Sequence, residues 1–331
     1  MSAAAALIPV VLFLAALFLM DSFKLVPLRA VAAAVGFGAA AALAALWFIG
    51  TTVSIDDFGP DIVSRYVAPV IEEVLKAAPI IVLIARGRVG FLVDAGVQGF
   101  AVGAGFALVE NVVYLRALQD APITLWLVRG LGTAVLHGAT TAIFAIGSKA
   151  LADRHPDRLP GVFVSALAVA IAIHSAFNHL LLPPLAQTGL ILAVLPLLLI
   201  WVFDRSDRAT REWIGAGLDL DVDVLQLVES ESFSVTRFSQ YLLQLRARFP
   251  GTVVADMYCL LRLELELTVQ AKAVVMARAA GLHLAPDDDL AASLAERDYL
   301  QRSIGPTGLL ALKPLQVTGY RDKWHRHLLR A

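Results

Sequence analysis

Cysteine is nearly absent from this sequence of 331 residues. The single example, Cys259, excludes an intrachain disulfide framework and any cysteine-rich metal site, and it reads as a small buried apolar residue. Charge is scarce too. Asp, Glu, Lys and Arg make up 17% of the chain, and a formal net charge of -1 with a pI near 6.7 offers nucleic acid no basic surface. The scarcity is uneven: charges are few up to about residue 203, and afterwards they reach the density of an ordinary soluble domain. There is no internal repeat, no low-complexity linker and no HExxH segment, so the usual zinc-hydrolase signature is missing.

What the chain has in excess is hydrophobic sequence. A hydrophobic fraction of 58% and a mean hydropathy of +0.73 lie well above the norm for soluble domains. A membrane span needs about 20 mostly apolar residues. Seven stretches qualify, near 4–20, 27–50, 62–85, 91–117, 122–149, 160–182 and 186–203. The first lacks a basic leader and a small-x-small site before Asp21, so it reads as a retained helix rather than a signal peptide. The turns between spans carry Asp56-Asp57 with Gly59-Pro60, Arg86-Gly87-Arg88, Asp120 with Pro122, His155-Pro156, and Pro183-Pro184.

Basic residues fall at alternate ends of these spans: Lys24 and Arg29, Arg86 and Arg88, Lys149 with Arg154 and Arg158, then Arg205, Arg208 and Arg211. By the positive-inside rule this predicts an N-terminus outside and a C-terminus in the cytoplasm. Beyond residue 204 the pattern becomes amphipathic, predicting helices near 222–247, 252–280, 287–303 and 321–330, broken at Phe249-Pro250-Gly251 and Gly305-Pro306. The run Leu261 to Leu267 alternates like a strand, but its long flanks of helix formers predict a helix. The expected fold is therefore all-α. A transmembrane bundle of about seven spans occupies 1–203, and a small helical cytoplasmic domain occupies 204–331, whose role and partner the sequence leaves open.

Ionisable side chains at membrane depth cost at least about 2.5–3.5 kcal/mol each and so point to function. The third span carries Glu72-Glu73-Val74-Leu75-Lys76 near its middle. Glu72 and Lys76 share a helix face one turn apart, with Glu73 on the adjacent face, so Lys76 neutralises one carboxylate and leaves another free to act as a base. The alternative is a buried ion pair that only fixes helix packing. In the fourth span Gly99, Gly103, Phe106, Glu110 and Tyr114 form one stripe; glycines spaced by four let a neighbouring helix approach and press on Glu110. The fifth span holds His137, with Thr141 one turn on, and reads as a satisfied core histidine or as a functional one. Arg129, two turns nearer the outer end, either snorkels outwards or pairs with a buried Glu. The sixth span supplies His174 and Asn178 on one face, two groups able to hold an oxyanion, while His179 points elsewhere. Counted along their helices, Glu72, Glu110, His137 and His174 all fall within about 10 Å of the midplane, deep enough to line one cavity.

In this order, Glu72-Glu73-x-x-Lys76, Phe106-x-x-x-Glu110, His137 and His174-x-x-x-Asn178 resemble the motifs of the PrsW family of intramembrane proteases. That family shares a clan with the CAAX-prenyl endopeptidases. The match covers roughly 60–182. Lys76 stands where the CAAX branch has an arginine one residue later, and Glu110 where it has a histidine; both favour the PrsW branch over a prenylated substrate. The resemblance implies cleavage of membrane-associated proteins in a bacterial cell membrane, as when family members cut anti-sigma factors in stress signalling.

The resulting mechanism has Glu72 as general base on the attacking water and Glu73, paired with Lys76, orienting it, with the two glutamates interchangeable at this stage. His174 and Asn178 would hold the oxyanion, and Glu110 and His137 would position water or move protons, with Phe106 beside them. Glu72, Glu110, His137 and His174 could also hold a divalent ion such as zinc. The missing HExxH and the CAAX branch favour a glutamate-activated water without an obligatory metal, so the metal stays open. Two other readings remain: a proton- or cation-coupled transporter, and a membrane scaffold whose tail recruits a partner.

Overall fold

The structure, a computed structural model, describes residues 1–53, 58–155, 158–229, 237–282, 289–315 and 328–329. Every regular element among them is helical. The chain divides into two compact units, Met1–Asp207 and Arg208–Ala331.

The first unit opens with α1 (Ser2–Met20) and α2 (Leu28–Thr52), joined by a turn in which buried Asp21 accepts a hydrogen bond from the Val26 amide at 3.1 Å. A short turn (Pro60–Ile62) and a π-helical turn (Val63–Val67) lead into α3 (Ala68–Ala85). The chain continues through α4 (Leu92–Ala117). A second lead-in of Ile123–Leu127 and a π-turn, Val128–Thr133, runs into α5 (Ala134–Arg154), and α6 (Leu159–Asn178) follows. Among the described residues, six helices are long and apolar enough to cross a membrane: Ser2–Met20, Leu28–Thr52, Leu92–Ala117, Ile123–Arg154, Leu159–Asn178 and Pro184–Ile214. The expected span at 62–85 is helical as well, but Glu72, Glu73 and Lys76 give it a charge load that sets it apart from those six.

At the centre lies α4, every residue of which from Val93 to Ala107 is buried. Its Ala- and Gly-rich sequence makes this possible, because small side chains let α1, α2 and α5 pack almost backbone to backbone. Most other helices expose aliphatic side chains on their outer faces, as lipid-facing helices do: Leu12 and Leu19 on α1, Leu43 and Trp47 on α2, Val164 and Val169 on α6. Polar anchors fix the N-terminal end of α4. Asp94 accepts the Gly90 amide at 2.9 Å, and Ser206 Oγ accepts the Val93 amide at 3.1 Å.

The boundary expected at 203/204 is not a helix end. The last membrane helix, α7, runs unbroken from Pro184 to Glu229. Beyond Pro196 no proline interrupts it, and its residues are mostly good helix formers, so nothing in the sequence stops the helix. The helix expected over 222–247 is accordingly divided between the end of α7 and α8 (Arg237–Leu245). The second unit continues with α9 (Gly251–Ala279) and α10 (Leu290–Leu312), the latter kinked at Gly305, whose φ of 70° precedes Pro306. The strand-like run 261–267 is helix because α9 buries two faces. Leu260, Leu263 and Leu267 join the core of α8 and α10, while Leu261 and Leu265 pack with Leu225. Cys259 corrects an expectation: it is exposed, not buried. Asp56-Asp57, Pro156 and most of the helix expected near 321–330 lie outside the described residues.

Candidate active site

Helices α3, α4, α5 and α6 bring Glu72, Glu73, Lys76, Phe106, Glu110, His137 and His174 into one cluster. Glu73, 1% exposed, is its most heavily bonded member. Its Oε1 accepts from Lys76 Nζ at 2.5 Å, from His174 Nδ1 at 2.8 Å and from Thr140 Oγ1 at 2.9 Å. Lys76 is fully buried and lies 4.9 Å from the centroid of Phe106, a cation–π contact that replaces part of its lost hydration. Its ammonium also donates to His137 Nδ1 at 3.1 Å. An ammonium can only donate, so His137 must carry its hydrogen on Nε2, which in turn donates to Glu110 Oε2 at 3.0 Å. Arg129 completes the pairing, with Nη2 at 3.2 Å from the same Glu110 oxygen.

Close helix packing sets these distances. A Cβ on Gly103 would collide with the His137 carbonyl, and one on Gly99 would lie 2.7 Å from the Thr141 carbonyl. Glycine at both positions therefore lets α4 and α5 approach at the turn that presents His137, as the glycine stripe predicts.

Glu72 differs from its neighbours. Its Oε2 is buried without a hydrogen-bond partner and faces His174 Nε2 at 3.8 Å, too long for a direct hydrogen bond. With His174 Nδ1–H held by Glu73, Nε2 is the ring nitrogen that faces Glu72. In the tautomer with its only hydrogen on Nδ1, that Nε2 is an acceptor. The pair of atoms leaves an acceptor-lined position open to a water molecule or a cation.

The residues fit a metal. Ligand atoms of Glu72, His137 and His174 all lie within 4.8 Å of one another, and one carboxylate with two imidazoles is a common catalytic zinc set. Each histidine also gives a ring N–H to a carboxylate, His174 to Glu73 and His137 to Glu110, as metal-binding histidines do. The four-residue ligand set read from the sequence narrows here to three. Glu110 is engaged by both Arg129 and His137 Nε2.

Asn178 stands apart from the cluster. Its Nδ2 donates to the Ser64 carbonyl at 2.8 Å, and Ser175 Oγ donates to the Arg65 carbonyl at 2.6 Å, so α6 is tied to the π-turn ahead of α3. His179 lies with them: its Nδ1–H donates to the Ser175 carbonyl, and the Tyr66 hydroxyl lies 2.9 Å from Nε2. Sequence reasoning noted Thr141 beside His137, which bonds back to the His137 carbonyl, and passed over Thr140, which reaches Glu73 as well as that carbonyl. It also missed Asn111, whose burial beside Glu110 in an apolar helix was the available signal.

The profile described as PrsW family intramembrane metalloprotease matches residues 26–203, more than half of the chain. This chain belongs to the PrsW family. No curated protein and no solved structure matches it. As a PrsW intramembrane protease whose described residues include six helices long and apolar enough to cross a membrane, the protein is an integral membrane enzyme, and its substrates are membrane proteins. The transporter and scaffold readings give way to that membership. The family's name also favours a metal over the metal-free reading of the sequence.

Proposed function

We propose that this PrsW protease is an endopeptidase that hydrolyses a peptide bond of a membrane-anchored substrate with a water activated between Glu72 and His174. One observation carries the reading: three carboxylates, Glu72, Glu73 and Glu110, face two cations, Lys76 and Arg129, and the carboxylate left over is the one with an unpartnered oxygen. A buried polar atom without a partner is costly, and a site kept in that condition is poised for a ligand.

In this reading Glu72 accepts the proton as the water attacks the scissile carbonyl, then passes it to the leaving nitrogen. His174 Nε2 fixes the water from its other side, and Glu73 holds the His174 ring in the required tautomer. Lys76 anchors Glu73 and keeps it from competing as base. The second amide hydrogen of Asn178, one turn from His174, is assigned to the oxyanion. His137 and Glu110 form the proton-handling side. A divalent ion such as zinc, held by Glu72, His137 and His174, would supply a Lewis acid that lowers the pKa of a bound water.

The proposal extends to topology. The helix over 60–85 is the seventh span, its charges shielded by α2, α5 and α6, with the N-terminus outside and the C-terminal unit in the cytoplasm of a bacterial cell. Glu110 and His174 then lie on the outer side of their helix centres, so the bond cut lies in the outer half of the bilayer. Regulated proteolysis in stress signalling, with anti-sigma-like substrates, fits such a position. Reconstituted protein offered a tagged single-span substrate should cleave it, lose activity with a chelator and regain it with zinc. Cleavage unaffected by chelation would remove the ion, and absence of cleavage in every membrane composition would remove the endopeptidase reading.

A further inference from the structure

We propose that Arg129 is a positioning residue for the proteolytic reaction, set by the π-turn Val128–Thr133 and anchored by α1, which holds Glu110 as the fixed acceptor of the His137 Nε2–H. This rests on the hydrolytic reading of the cluster. At 100° per residue, Arg129 and His137, eight residues apart, would sit about 80° apart on a regular α-helix. A π-turn takes in one extra residue, so the two sit as though seven apart, within about 20° of one another. That phase lets both reach the same oxygen, Glu110 Oε2, at 3.2 and 3.0 Å.

Arg129 is fixed from two further directions. Its Nε donates to Asn111 Oδ1 at 3.0 Å, and its guanidinium lies 3.5 Å from the centroid of the Tyr114 ring. Asn111 Nδ2 in turn donates to the Ala6 carbonyl of α1 at 2.8 Å. Pro9 has no N–H to offer the Ala5 carbonyl, so that neighbouring carbonyl lacks its usual helical donor. Beside it, a Cβ on Gly130 would collide with the Ala5 carbonyl, so α1 rests directly on the π-turn. Residues 1–25 precede the part of the chain matched to the family. The helix they form is nonetheless linked through Asn111, Arg129 and Glu110 to His137.

The chain of contacts has a chemical consequence. Glu110 paired with Arg129 stays a fixed acceptor for the His137 Nε2–H, on the side of the ring opposite the Lys76 ammonium. Without Arg129 the Glu110 carboxylate is free to turn, and the ring is held from the Lys76 side alone.

The test uses the full-length protein in lipid nanodiscs. Arg129→Gln should lower kcat for a single-span substrate by about 10–100-fold with little change in KM, the usual effect of removing a group that orients a site residue. Arg129→Lys should recover part of that loss. In a Glu110→Gln background, Arg129→Gln should have no further effect on kcat, whereas a purely structural contribution would multiply with it. The Nε2–H of His137, assigned by NMR against His137→Gln, should be hydrogen-bonded and slow to exchange in the wild type and lose that protection in Arg129→Gln. An unchanged kcat, multiplying effects or an unchanged Nε2–H signal overturns the proposal. If the wild type cleaves nothing, the hydrolytic reading fails, and the Nε2–H measurement still decides for or against Arg129.

Discussion

Each unit of the molecule buries carboxylates, and the two do it differently. In the second unit the largely buried Glu264 is met by the Arg297 guanidinium, Nε at 2.5 Å, which also faces the exposed Asp298 at 3.7 Å, and the Glu264–Arg297 pair joins α9 to α10. In the first unit three carboxylates share two cations, and Glu72 is left with an unsatisfied oxygen. A matched pair fixes geometry and nothing more. An unmatched charge held in a bilayer is expensive, so its persistence marks a place where something else completes the site.

The contrast breaks most easily at Glu73. Glu73→Gln removes the charge that balances Lys76 and half of the bond pattern around His174, so cleavage should disappear. Stability should also fall by about 3–5 kcal/mol, as for any buried pair stripped of one partner. Glu72→Gln should leave stability in detergent unchanged or raised, because it removes an unmatched charge. Thermal unfolding of the two variants side by side checks this, and equal destabilisation would erase the distinction between them. Next in size is Gly103→Val, whose added bulk meets the His137 carbonyl. Displacing that turn by even 1 Å should lower kcat by about 100-fold, measured on the same substrate. In the second unit Glu264→Ala should destabilise α9 and α10 by about 3 kcal/mol yet leave kcat of the folded protein unaltered.

The smallest effect is expected at Asp21, in the turn between α1 and α2. Burial raises its pKa above the ordinary carboxylate value. The folded state therefore favours the protonated form. Its contribution to stability is full below the ordinary value and is lost as pH rises through the raised one. Asp21→Asn should flatten that part of the stability–pH profile and alter cleavage little. A profile unchanged by the substitution would contradict the shift.

Much of this was legible in the sequence because the bilayer makes hydrophobicity and charge unusually informative. Seven helical stretches, the Gly99–Gly103 approach and the neutralisation of one glutamate by Lys76 follow from residue types at fixed helical spacing, although spacing put Glu72 on the Lys76 face and the ion pair is with Glu73. What stayed hidden depends on departures from that spacing. The π-turn at Val128–Thr133 shifts the phase of Arg129 by one residue, so whether it pairs with Glu110 could not be read from a regular helix. Thr140 and Thr141 differ by 100° of helix rotation, and only the placement of α3 decides which of them reaches Glu73. The helical end of α7 was missed because a fall in hydrophobicity is not a helix stop. Cys259 was misjudged because a residue's usual burial says little about which face of a particular amphipathic helix it occupies.

The central claim is that the unpartnered Glu72 carboxylate is the reactive group. The most direct measurement compares cleavage of one tagged single-span substrate by wild-type protein and by Glu72→Gln, reconstituted at equal amounts and shown to be folded. Loss of about 1000-fold or more in kcat, with the variant as stable as the wild type, is the predicted result. Cleavage by Glu72→Gln within about tenfold of wild type would contradict it, since a general base contributes more than that.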